Sequence, residues 1–149
     1  MKKSLPFVLV AVVGALALSS CGEGAKAEPK TPLAAASQKC APIIEKAMKE
    51  AFNDDAPSVD EMFVLDKDGR ALVLQTPDPG GELVAGATFT AAECVLKELD
   101  APVTVASGMG QTTALAGVQE ANWDDIEASW TYSAASGSSG LTVNLEIAD

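Results

Sequence analysis

Histidine is absent from this 149-residue sequence. Ser-His-Asp and Cys-His catalytic arrangements and imidazole metal sites are therefore excluded. No glycine-rich phosphate cradle follows a strand-like run, no Cys-x-x-Cys pair is present to lower a thiol pKa, and no internal repeat is visible. Basic residues are few: 10 Lys and Arg stand against 21 Asp and Glu, a formal charge of −11. Such a balance repels phosphate backbones and anionic headgroups alike, so nucleic acid is not an expected partner. No apolar run is long enough to span a membrane comfortably, because crossing about 30 Å of hydrocarbon takes roughly 20 apolar residues.

What is present begins with a leader. Lys2 and Lys3 precede a 14-residue apolar run, Leu5 to Leu18, and small residues follow. This is the pattern of a secretory signal over residues 1–20. It ends in Leu18-Ser19-Ser20-Cys21, which resembles the lipobox of bacterial lipoproteins. The resemblance implies that Cys21 receives a diacylglyceryl group, that cleavage falls just before it, and that further acylation such as palmitate completes the anchor. Two or more acyl chains give stable attachment, each buried methylene contributing about 0.8 kcal/mol. The expected location is the extracytoplasmic face of a bacterial cell membrane. Removing Lys2 and Lys3 with the leader leaves 8 bases against the same 21 acids, a formal charge of −13.

Residues 22–37 are small and polar, with Pro29 and Pro32, and read as a flexible tether. Fully stretched, such a 16-residue segment reaches about 50 Å. The expected globular domain is Gln38 to Asp149, one domain by length.

Within it, Ile43, Ile44, Ala47, Met48, Ala51 and Phe52 recur at helical spacing, with Pro42 read into the first turn, where no intrahelical acceptor is lost. Two runs, residues 61–65 and 71–75, form a predicted hairpin about Asp66-Lys67-Asp68-Gly69. Their nearly continuous apolar character suggests a sheet covered on both faces or a central position in it. The Asp-x-Asp-Gly turn lacks the remaining oxygen ligands of a calcium loop, so no metal is assigned to it. Thr90-Ala91-Ala92-Glu93 has the form of a capping box and predicts the start of a second helix that closes at Asp100-Ala101-Pro102. Residues 103–117 are ambiguous between helix and strand, with a lean toward helix, and Ser107, Thr112 and Thr113 lack an evident base to make them nucleophiles. A strand is expected over residues 118–123. Strict alternation over residues 126–133 and 141–147 predicts two antiparallel strands, each with one core face.

With Cys21 lipidated, Cys40 and Cys94 are the remaining thiols, and an oxidising compartment pairs them. The bridge requires Cα atoms within about 7 Å, which places both helices on one face of the sheet. The expected fold is α+β: two or three helices on one face of a mostly antiparallel sheet of about five strands, with one disulfide.

Aromatic residues make up 5% of the chain, so Trp123 and Trp130 stand out. Large aromatics on a small sheet usually fill its core. With Asp124 and Asp125 they also form the candidate binding surface. Thr112 to Gln119, then Trp123, Ser129-Trp130-Thr131-Tyr132 and Gly140-Leu141 together resemble a stretch in a family of small secreted proteins and lipoproteins of actinobacteria. In that family an Arg stands at the position of Thr113, an Asp at that of Ala116, and a His-Pro-Asp type turn follows the Tyr. Here the charged pair is missing and the turn is a Ser/Gly loop, so the resemblance implies a shared fold and location and no shared polar site.

Functionally these features point to a non-catalytic envelope module that binds or supports a partner protein, with no cofactor. The alternatives are a small-ligand or calcium binder and, further off, a hydrolase using Asp124, Asp125 and Glu127, which would need two carboxyls facing across a cleft.

Overall fold

The computed structural model describes residues 29–52, 55–78, 81–134 and 140–149. The leader, Cys21 and the centre of the Ser/Gly loop lie outside the described residues. The element order is α1 (Pro32–Phe52), α2 (Val59–Met62), β1 (Phe63–Leu65), β2 (Ala71–Gln75), α3 (Glu82–Glu98), α4 (Val103–Gly110), β3 (Gln119–Trp123), β4 (Ile126–Ser133) and β5 (Gly140–Ile147). The architecture is the expected α+β class, with the single-turn α2 added to three longer helices.

The strands form one antiparallel sheet in the order β1-β2-β5-β4-β3. The last three strands are a meander, and β5 returns to pair with β2 of the first hairpin. Register follows from pleating. Leu72 lies opposite Leu145 and Leu145 opposite Ala128, while Leu74, Val143 and Trp130 form the next row. All six are buried, so one sheet face is the core face. The helices cover it: α1 packs on α3, β1 and β2, and α3 packs on β2, β5 and α4. The alternate positions on the other face are partly or wholly exposed, mostly polar on β3, β4 and β5 but apolar at Val64, Ala71 and Val73 on β1 and β2. The apolar hairpin therefore does not mark a sheet covered on both sides: β2 has the central position that its apolar run also allowed, whereas Val64 faces solvent on the edge strand β1.

The first helix begins six residues before the expected domain boundary. Thr31 is its cap, because its Oγ1 accepts from the Ala34 amide at 3.2 Å, and Pro32 occupies the first helical position, where a missing amide is harmless. The same hydroxyl donates to the Gly69 carbonyl, latching the helix start to the β1–β2 turn. Leu33 is 0% exposed. The buried stripe is Leu33, Ala36, Cys40, Ile44 and Met48, a spacing of three and four residues. Residues 32–37 thus belong to the fold and not to the tether. Extending the helix backwards also moves Pro42 from its first turn to the eleventh residue, where its ring removes one amide from the ladder. The stripe rotates accordingly, and Ile43, expected in the core, is 57% exposed.

The second predicted helix start is corrected in the same direction. The helix opens at Glu82, and Thr90 sits within it, its Oγ1 donating to the Gly86 carbonyl at 3.0 Å instead of capping. Burial of Val84, Thr88, Ala91, Ala92, Val95 and Leu96 outweighs the weak helical preference of Gly86, Thr88 and Thr90. Residues 103–110 are helical, with Val105 and Met109 buried.

Two glycines are fixed by geometry. Gly69 closes the hairpin turn at φ +72°, a region that side chains disfavour. Gly140 opens β5 against Thr76, and a Cβ there would stand 2.1 Å from Thr76 Oγ1. Gly140→Ala is expected to displace Thr76 from Thr88 Oγ1 and cost about 2 kcal/mol. Urea unfolding checks this, and an unchanged midpoint would show that the contact relaxes freely.

Candidate functional site

Of the residues singled out in the sequence, the structure brings together Cys40 with Cys94 and, in the core, Trp130 with Thr112. Cys40 and Cys94 form a disulfide with Cα atoms 5.9 Å apart, tying α1 to α3. The bond lies in the middle of α1 and the second half of α3, because both helices start earlier than their sequence signals suggested.

The candidate surface of Trp123, Asp124, Asp125 and Trp130 is not assembled. Both Trp side chains point into the core, at 8% and 5% exposure. Their polar edges are satisfied there: Trp123 Nε1 donates to the Leu99 carbonyl at 3.0 Å, and Trp130 Nε1 to Thr112 Oγ1 at 2.8 Å. Neither ring is available for stacking. Asp124 and Asp125 make the two-residue β3–β4 turn, both exposed, with Asp124 at φ 48°. Asp tolerates this left-handed region better than most residues do.

Other polar candidates are accounted for locally. The Thr112 hydroxyl donates to the Gly108 carbonyl while receiving the Trp130 indole, and Ser107 accepts from Gln111 Nε2. Asp66 uses its carboxylate on the Ala71 amide, stabilising the hairpin turn. Among the described residues no three His, Cys, Asp or Glu side chains converge on a point where a metal ion would sit.

The sequence reading missed the open face of the sheet as a unit. On it β3 contributes Glu120 and Asn122, β4 contributes Glu127 and Ser129, and β5 contributes Asn144 and Glu146. Register sorts them into two rows across the strands. Asn122, Glu127 and Glu146 form one; Glu120, Ser129 and Asn144 form the other. These six residues line a shallow basin of about 630 Å³. Asn144 Nδ2 donates to Ser129 Oγ at 3.3 Å within the second row. The polar halves of β4 and β5 were legible from alternation. Their alignment with Glu120 and Asn122 depends on which strands pair, which alternation does not encode.

One contact in the basin is unfavourable by itself. Glu127 and Glu146 are direct cross-strand partners, and like charges in that relation destabilise a sheet. Glu127→Gln is expected to stabilise the domain by about 0.5 kcal/mol at low salt, with the gain shrinking as ionic strength rises. Thermal unfolding in 20 and 500 mM NaCl measures this. A loss of stability would mean that the carboxylate is engaged favourably. The basin is lined by Glu127 but by neither Asp124 nor Asp125, so the three carboxylates suggested for hydrolysis do not share it.

In comparisons with known proteins, no family model matches this chain, and no curated protein or solved structure matches it.

Proposed function

We propose that the protein is a lipid-anchored, extracytoplasmic binding module that recognises a partner protein on the open face of its sheet and performs no chemistry of its own. The observation that carries this reading is the asymmetry of the sheet. One face is closed by helices and a disulfide into a rigid support, while the other presents two rows of polar side chains over a broad, shallow surface. A small-molecule or catalytic site is typically a concave, mostly apolar pocket with a few convergent polar groups. A wide polar surface on a rigid layer suits recognition of another macromolecule better.

The anchor is assigned to Cys21 on the strength of its leader and lipobox. No helix among the described residues is long and apolar enough to cross a membrane. Because the fold starts at Thr31, nine residues separate it from Cys21, a span of at most about 32 Å when extended. The domain is thereby held closer to the bilayer than a 16-residue tether would hold it.

A photo-reactive amino acid placed at Ser129 on the open face, and at Glu50 on the helical face as comparison, tests the reading in intact cells. A discrete adduct from Ser129 alone is expected. Adducts from neither position, or from Glu50 only, would overturn it. Saturable stabilisation by calcium chloride, lost in Glu127→Gln, would instead support the cation-binding alternative.

A further inference from the structure

Resting on that binding reading, we propose that the partner protein docks by adding an extended strand of its own to the free edge of the sheet, β3. The direction of the backbone groups on that edge follows from the β3–β4 turn. The Asp125 carbonyl accepts from the Ala148 amide, just past β5, at 2.8 Å, so odd-numbered residues of β4 direct their backbone groups at β5 and even-numbered ones at β3. Register then assigns Gln119, Ala121 and Trp123 to the bonds with Trp130, Ala128 and Ile126. The amides and carbonyls of Glu120 and Asn122 point outward. Both residues are exposed, and on that side neither has a hydrogen bond to any described residue. Natural edges are commonly blocked by lysine, proline or a bulge. The β3 strand reads Gln-Glu-Ala-Asn-Trp in unbroken register and has none of the three.

A second, independent feature adjoins this edge. Residues 113–118, Thr-Ala-Leu-Ala-Gly-Val, are all exposed, with Leu115 at 98% and Val118 at 65%. The segment is nonetheless held in place: the Ala116 amide donates to the Thr113 carbonyl at 2.9 Å, and Gln119 Nε2 donates to the Ala116 and Val118 carbonyls at 2.8 and 3.2 Å. A fixed apolar stretch that buries nothing in the free chain marks a protein-contact surface. The edge thus specifies an extended backbone, and the stretch beside it an apolar residue in the incoming segment. By pleating, side chains of the added strand alternate between the helix side, where Ala121 is half-buried, and the open face beside Glu120 and Asn122. The segment that fits alternates apolar residues with neutral polar or basic ones, because an acid beside Glu120 is repelled. A second copy of the chain is a poorer occupant. The Thr31 latch and the β3–β4 turn lie at the same end of the sheet, so antiparallel pairing of two β3 strands turns the two anchored ends in opposite directions. Both copies also carry the same net negative charge.

The test titrates the full mature chain, in micelles of uncharged detergent, with a peptide of eight alternating valine and threonine residues carrying a lysine at each end. Two isomers, N-methylated at every valine or at every threonine, share its charge and side chains but lose alternate backbone donors. Binding is followed by backbone amide NMR shifts. Saturable shifts at Leu115, Val118, Glu120 and Asn122 are expected with the parent peptide and with just one of the isomers. Glu120→Pro removes the outward amide and no ladder bond, so it should weaken binding about tenfold more than Glu120→Gln does. Near-UV circular dichroism of the buried tryptophans verifies folding of each variant, and the comparison of isomers requires no variant at all. Equal binding by the two isomers, no saturable shift with the parent peptide, or equal losses in the two Glu120 variants would each overturn the proposal. Concentration-dependent shifts of Glu120 and Asn122 without peptide would assign the edge to a second copy and overturn it too. In cells, loss of the Ser129 adduct in Glu120→Pro supports the added strand. An undiminished adduct would keep the binding-module reading and overturn docking at β3.

Discussion

Replacing Cys40 and Cys94 together by alanine is expected to lower the unfolding free energy by about 4 kcal/mol, the largest effect of any change considered for this protein. The bridge spans a sequence separation of 54 and ties two helices that meet only through tertiary packing. In the chain-entropy account, cutting it frees a loop of that length in the unfolded ensemble. The native state loses packing as well, since Cys40 is fully buried in the stripe of α1. Urea unfolding of the double variant, beside the parent with and without reductant, measures the effect. The reduced parent and the double variant should agree within about 1 kcal/mol. A difference below about 1 kcal/mol between oxidised and reduced parent would show that helix packing alone holds α1 to α3.

Leu33→Ala should cost about 3 kcal/mol, because it empties a fully buried site at the junction of α1 with the core. The result distinguishes two accounts of residues 32–37. If they were tether, the substitution would be silent, as exposed changes usually are. If they are fold, the domain loses stability and removal of the chain before Gln38 is more damaging still, since Ala34 and Ala36 go with Leu33 and the Thr31 latch onto Gly69 is lost. A shift in urea midpoint for Leu33→Ala, with Leu33→Met near parental, is the expected pattern. Equal midpoints for all three proteins would return the domain boundary to Gln38.

Several local rules misplaced features, each for a physical reason. Thr31-Pro32 is a helix-start signature, a capping hydroxyl followed by proline at the first helical position, and its Thr-Pro-Leu-Ala composition resembles a linker when read by polarity alone. Thr90-Ala91-Ala92-Glu93 satisfies the capping-box pattern inside a helix, where its threonine bonds backwards to Gly86. A short motif records what a segment can form when free, whereas burial decides which of the possibilities is used. The tryptophans follow the same logic: alternation placed Trp130 on the core face, and the structure adds indole partners, Leu99 and Thr112, distant in sequence.

The sequence by itself determined the fold class, the long strands of the last third and the pairing of Cys40 with Cys94. Each depends on local periodicity, or on counting in a chain with few cysteines. It also determined which side chains on β4 and β5 face away from the core. Only the tertiary structure decided that β5 pairs with β2, that α1 reaches back to Pro32, and that Asn122, Glu127 and Glu146 of three strands lie in register beneath open solvent. Strand order and register arise from contacts between residues far apart in the chain, and their energy resides in packing that no single segment contains.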